Sequence, residues 1–175
     1  MLIDRFPFAI DTKPNRARCQ LWRLPMTAAL LVSTAMAVWT VLVHMVGLGS
    51  LLVLARVRST RISPHGSTLR QALFILLIVL GLFVVHAVEI WSFAILYMVL
   101  DAFPDFETAL YFSTSTFTTL GYGEVVMSGP WRMVSAMEGF TGFLMIGWST
   151  AFLVSIVGKL RALEADWLEP PQTRD

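Results

Sequence analysis

Thr118-Thr119-Leu120-Gly121-Tyr122-Gly123-Glu124 is the stretch whose reading decides the fold of this chain. It sets glycines at 121 and 123 on either side of a tyrosine, directly behind a pair of threonines. Glycine has no Cβ and takes positive φ readily, whereas most other residues resist that region. A run that alternates left- and right-handed backbone turns successive carbonyl oxygens to one side. From Thr119 to Gly123 such a run points Leu120 and Tyr122 away from those carbonyls and into the surrounding protein. The Tyr122 hydroxyl is then placed to brace the loop against Tyr111 or Phe112.

The residues just before the string predict a short helix over 105–117. Pro104 suits a first helical turn, where its missing N–H costs nothing. Asp105 and Glu107 follow, and acidic side chains favour a helix start through the macrodipole. At about 1.5 Å per residue this helix covers roughly 20 Å, too little to span a bilayer. It descends part-way and stops, with its carbonyl end toward the bilayer centre. The chain must then return. Non-helical backbone at that depth is tolerated only where it lines a water-filled or protein-buried cavity, and residues 118–123 supply the return.

On both sides lie long apolar stretches, and a further one precedes them. Met26–Ala55, Gln71–Leu100 and Trp131–Val157 each exceed the roughly 20 residues needed to cross a bilayer. The 175-residue chain is 56% hydrophobic and 14% charged, with a mean hydropathy of +0.69. Soluble domains carry about 25% charged residues. The predicted fold class is therefore an all-α integral membrane protein with three transmembrane helices. A re-entrant helix and loop lie between the second and third. The organisation is an N-terminal tail (1–25), an additional transmembrane helix (26–55), a linker, a helix–insert–helix unit (71–160) and a C-terminal tail (161–175). Within that unit the outer helix is 71–100 and the inner helix 131–160. Cys19 is the only cysteine, so no intrachain disulfide is possible.

Ala109 to Glu124, ALYFSTSTFTTLGYGE, resembles the pore helix and selectivity filter of the tetrameric potassium channels. The order of apolar helix, insert and apolar helix over about residues 71–160 is similar to small bacterial ion-channel proteins built from a pore domain alone. His86 to Tyr97, the Trp131-Arg132 pair, Glu138-Gly139 and Gly147-Trp148-Ser149 add to that likeness. Leu120 stands where valine is commoner, and Glu124 where aspartate is commoner. The resemblance implies a homotetramer that passes K+ down its gradient in a multi-pass protein of the bacterial inner membrane. It implies ion binding by Thr118, Thr119, Leu120, Gly121, Tyr122 and Gly123, with K+ held by Thr119, Leu120, Gly121 and Tyr122. The partners implied are K+ ions, lipid and further copies of the chain, without nucleic acid. No cofactor is expected beyond the permeant ion, and no covalent chemistry, so the chain is not expected to be an enzyme. Alternative functions are a potassium-uptake transporter subunit and a non-conducting subunit that modulates a larger channel. A single insert with a full Gly-Tyr-Gly argues against the transporter.

Support for the filter is expected from Glu124, Tyr111, Phe112 and Glu138. Glu138 falls about 10 Å below the outer end of the third span, level with the filter. It is therefore expected either to hydrogen-bond the back of the pore helix near Ser113 to Thr116 or to face a wet crevice. Gly139, Gly142 and Gly147 are candidate hinges of the inner helix, or packing contacts of the kind small residues make in membranes. His86 and Glu89 share a helix face, as a metal pair or as a structural polar pair. No histidine–carboxylate set recurs to make a di-metal site, which favours the polar pair.

A filter that opens outward puts the 56–70 linker and the 159–175 tail in the cytoplasm. Arg56, Arg58, Arg61, Arg70, Lys159 and Arg161 agree with the positive-inside rule. The segment from Asp101 to Trp131 carries Asp101, Asp105, Glu107 and Glu124 and no basic residue, the right sign for a mouth that attracts cations. The N-terminal tail conflicts. With Arg5, Lys13, Arg16, Arg18 and Arg23 it lies outside if the first span crosses fully. A tilted or re-entrant first span, or a start at Met26, would remove the conflict. The expectation retained is a full crossing with an outside N-terminus.

Overall fold

The computed structural model describes residues 26–59 and 68–168. The expectations for the N-terminal tail, most of the linker and the last residues lie outside that range. Every regular element among the described residues is helical. They are α1 (Met26–Ser59), α2 (Thr68–Val99), α3 (Phe106–Phe117), a 3-10 turn (Gly129–Trp131) and α4 (Arg132–Leu168). Three of them contain stretches long and apolar enough to cross a membrane: Met26–Val57, Gln71–Val99 and Gly129–Lys159. Only 22–28% of the residues in their most apolar windows are buried within the single chain. The remaining apolar surface is left for lipid or for other copies.

α2 packs on α3, α4 packs on α3, and α1 lies against both α2 and α4. Two apolar cores result. The first surrounds α3 and is mainly aromatic, with Phe93, Tyr97, Phe103, Phe112 and Phe117 at its centre. Tyr97 meets Phe103 and Phe112 edge-on, at ring distances of 5.8 and 5.5 Å, the geometry that aromatic quadrupoles favour. The second core is aliphatic. Leu48 and Leu51 of α1 meet Phe74, Ile78 and Leu82 of α2 and Ile156 of α4. In sequence, His44, His86, Glu89 and Ser149 fall between the residues of the two cores, and all four join one hydrogen-bonded layer.

The element ends differ from the sequence expectation in ways the local chemistry explains. α2 ends at Val99, where Asp101 takes φ +50. The Ala102 N–H returns to the Tyr97 carbonyl and the Asp101 N–H to that of Met98, a left-handed cap that satisfies the last carbonyls. α3 begins at Phe106 rather than 105. Asp105 is extended and caps the helix, its Oδ1 accepting from the Thr108 N–H at 2.8 Å. A short carboxylate does better there than inside the first turn, and Pro104 stands ahead of the cap. α4 runs on to Leu168, beyond the 160 expected. No proline interrupts that stretch before Pro170-Pro171.

Candidate functional site: the return at the foot of α3

α3 is a 12-residue helix packed against α2 and α4. Its Ala109, Phe112, Ser113 and Phe117 are buried. Thr118 closes it in right-handed geometry and sends its hydroxyl to the Thr114 carbonyl at 2.7 Å. That hydroxyl is thus engaged with the helix, and the loop proper starts at Thr119. There φ is +61; at Gly121 it is +56 and at Gly123 +82, whereas Leu120 and Tyr122 do not have positive φ. The backbone alternates in hand at every residue from 119 to 123. A β-branched residue in the left-handed region is uncommon. Thr119 is held there by its N–H on the Thr116 carbonyl at 3.0 Å, and the next turn by the Gly121 N–H on the Ser115 carbonyl at 3.1 Å.

The whole run from Thr119 to Glu124 is exposed in the single chain. Leu120 is 59% and Tyr122 68% exposed, so these side chains have little to pack on within their own chain. Tyr122 makes no hydrogen bond to Tyr111 or Phe112. Instead the Tyr111 hydroxyl donates to Glu124 Oε2 at 2.8 Å, tying the loop's outer end to α3. The Glu124 carboxylate holds that proton and so raises the Tyr111 phenol above its ordinary range. The Asp105 carboxyl is held below its own range by the Thr108 N–H and hydroxyl.

Behind α3 lies Glu138 of α4, fully buried. Its Oε1 is 2.5 Å from the Ser113 hydroxyl and its Oε2 accepts from the Tyr97 hydroxyl at 2.5 Å. Ser113 also reaches the Ile90 carbonyl at 2.9 Å. One carboxyl thereby joins α2, α3 and α4. Phe112 is buried in the aromatic core. Gly142 faces the foot of α3 so closely that a Cβ there would collide with the Phe117 carbonyl. A Cβ at Gly139 would meet the Thr116 carbonyl at 3.4 Å, and one at Gly147 would meet nothing within 4 Å. Gly142 is therefore a close packing contact, and Gly147 has open space.

His86 and Glu89 are brought together, with a partner that sequence spacing did not reveal. His44 of α1, distant in sequence, places Nδ1 2.9 Å from Glu89 Oε1, while His86 Nδ1 lies 2.8 Å from Oε2. In sequence, His44 is the one ionisable side chain between Met26 and Ala55. A polar residue inside an apolar stretch is a signal that some partner exists, but the partner's identity needed the packing.

The family model described as "Ion channel" matches residues 72–159, half of the chain, from the start of α2 through α3 and the return to the end of the apolar part of α4. No curated protein and no solved structure matches the chain. Two spanning helices bracketing a half-length helix and an exposed, hand-alternating return agree with that match, and the chain belongs to the ion channel family.

Proposed function

We propose that the chain is the subunit of a potassium-selective channel in which four copies surround one conduction path. The observation that carries this is the alternation of backbone hand at Thr119, Gly121 and Gly123 in an exposed run at the foot of α3. Carbonyls of Thr119, Leu120, Gly121 and Tyr122 are the coordinating groups, because carbonyl rings can replace the hydration shell of K+. A single chain supplies one wall of such a ring, and cyclic symmetry closes it. The bare faces of the spanning helices and the unpacked Leu120 and Tyr122 support assembly into more than one copy. Tyr111–Glu124 and Glu138–Ser113 brace the filter from outside and behind. The resemblance to bacterial pore-domain channels supports an inner-membrane location, with Asp101 to Trp131 at the outer mouth.

The test is ion flux into liposomes that contain only this chain. Potassium and rubidium pass, and sodium and lithium are excluded. Equal sodium and potassium permeability rules out the selective filter, and absence of any flux favours a modulatory subunit. Gly121→Ala loses selectivity. A Cβ there meets nothing within 4 Å, so the defect is conformational, about 1–2 kcal/mol for left-handed geometry, multiplied around the ring.

A further inference from the structure

The polar layer between the two cores takes no part in the conduction path proposed above, yet it spans three helices. Glu89 and His44 are fully buried, and His86 is 19% exposed. Each carboxylate oxygen of Glu89 faces one imidazole Nδ1. An ionised carboxylate only accepts, so both Nδ1 atoms carry hydrogen, and in neutral rings both Nε2 atoms are bare. His86 Nε2 then accepts from the Ser149 hydroxyl of α4 at 3.0 Å. His44 Nε2 has no hydrogen-bond partner among the described residues; the Trp148 ring lies beside the His44 ring, 5.5 Å between centroids. The layer in this state holds one net negative charge inside apolar surroundings, which is costly.

One added proton cancels that charge, and the two bare nitrogens are not equivalent sites for it. On His44 it creates a buried N–H with no acceptor, a cost of about 1–3 kcal/mol. On His86 it points at the Ser149 oxygen, and a hydroxyl can turn from donor to acceptor. Ser149 can also place its freed hydrogen. The hydroxyls of Ser50, Ser92, Thr141 and Thr150 donate to the carbonyl four residues back, and Met145 offers the same to Ser149. Ser149 differs from them in donating across to another helix.

We propose that the His44–Glu89–His86–Ser149 layer is a binding site for a single proton, taken up at His86 Nε2. The bound proton turns a neutral link between α2 and α4 into a charge-assisted one. Charge-assisted hydrogen bonds are roughly twice as strong as neutral ones. Protonation thus clamps the inner helix to the outer one just below the foot of α3, where the His86 ring also touches Phe117 at 5.9 Å. The groups facing His86 are His44 from α1, Glu89 from its own helix, Phe117 from α3 and Ser149 from α4. Only His44 and Glu89 among them titrate. The same three side chains could hold a divalent metal ion. Binding through both Nδ1 atoms, however, moves the His44 hydrogen to Nε2, where no acceptor waits.

The consequence for gating rests on the channel reading; the proton site does not. The proton site is tested by 15N chemical shifts of the histidine rings in the purified full chain, over about pH 5 to 8, where histidines ordinarily change charge. His86 Nε2 gains a proton on acidification, while His44 Nε2 stays bare and both Nδ1 atoms stay protonated throughout. In Ser149→Ala the acceptor is gone and the added proton loses its preference for His86 Nε2 over His44 Nε2. Protonation of His44 ahead of His86 in the wild type overturns the assignment. So does Zn2+ displacing the Nδ1 hydrogens of both rings at one ion per chain. For gating, rubidium flux changes over the interval in which His86 titrates and loses that dependence in His86→Gln. Flux that ignores pH overturns the coupling. Absence of flux at every pH fails the channel reading instead, and the ring shifts still decide the proton site.

Discussion

At the scale of single residues, two acids next to the same short helix are placed to do different things. Glu138 is buried and accepts from two hydroxyls. Glu138→Leu keeps much of the volume but removes both acceptor oxygens; Ser113 retains the Ile90 carbonyl, and the buried Tyr97 hydroxyl loses its acceptor. We expect a loss on the order of 1–3 kcal/mol, read as a lower thermal midpoint, with a changed open lifetime in single-channel records. Unchanged stability and conduction would return Glu138 to a passive role. Glu124 is exposed and its bond to Tyr111 is screened by solvent. Its effect is visible in titration instead. The Tyr111 phenol is raised because Glu124 accepts its hydrogen. The protonated phenol is the form the fold favours, so the contribution is complete below the ordinary value of about 10 and vanishes as pH climbs through the raised one. Ultraviolet titration of the wild type, compared with Tyr111→Phe, identifies the late-ionising step that belongs to Tyr111. In Glu124→Gln that tyrosine moves back toward the ordinary range; no movement would sever the link between the two residues.

At the scale of elements, the contact between α4 and the foot of α3 decides how α3 is carried. Gly142 lies on the Phe117 carbonyl, and backbone cannot step aside as a flexible side chain can. Gly142→Ala is expected to cost about 1–3 kcal/mol through forced separation of the helices. Gly147→Ala meets nothing and gains helix propensity, up to about 1 kcal/mol. The two variants should therefore shift the thermal midpoint in opposite directions, and equal shifts would contradict the packing. If the inner helix bends at a glycine, Gly147 is the position with room for it. The glycines were visible in the sequence, but their division into contact and free position was not, because the backbone lying opposite each one comes from another helix. The three long helices were legible from apolar length and α3 from Pro104, Asp105 and Glu107, but the ends were not. The Asp105 cap and the left-handed Asp101 depend on backbone hydrogen bonds that composition does not encode.

At the scale of the whole molecule, the single chain leaves most of its apolar surface unburied. Its spanning helices bury about a quarter of their most apolar windows, and the loop from Thr119 to Glu124 is exposed. Native mass spectrometry of the detergent-solubilised protein is expected to give four chains per particle. A stable, conducting monomer or dimer would contradict the proposed pore, since one or two walls cannot enclose an ion. The sequence by itself determined the spans, the short helix before Thr118-Thr119 and the alternating return, because these follow from local rules: apolar length against bilayer thickness, and glycine's freedom at positive φ. It also carried enough of the pattern for the family to be recognised. Only the tertiary structure decided that Thr118 belongs to the helix cap, that Glu138 bonds both Ser113 and Tyr97, and that His44 of the additional helix completes the pair of His86 and Glu89. Each of these is a meeting of groups far apart in the chain or a choice between competing hydrogen bonds. A buried polar group announces that it needs a partner, but which partner it finds is set by how the helices pack.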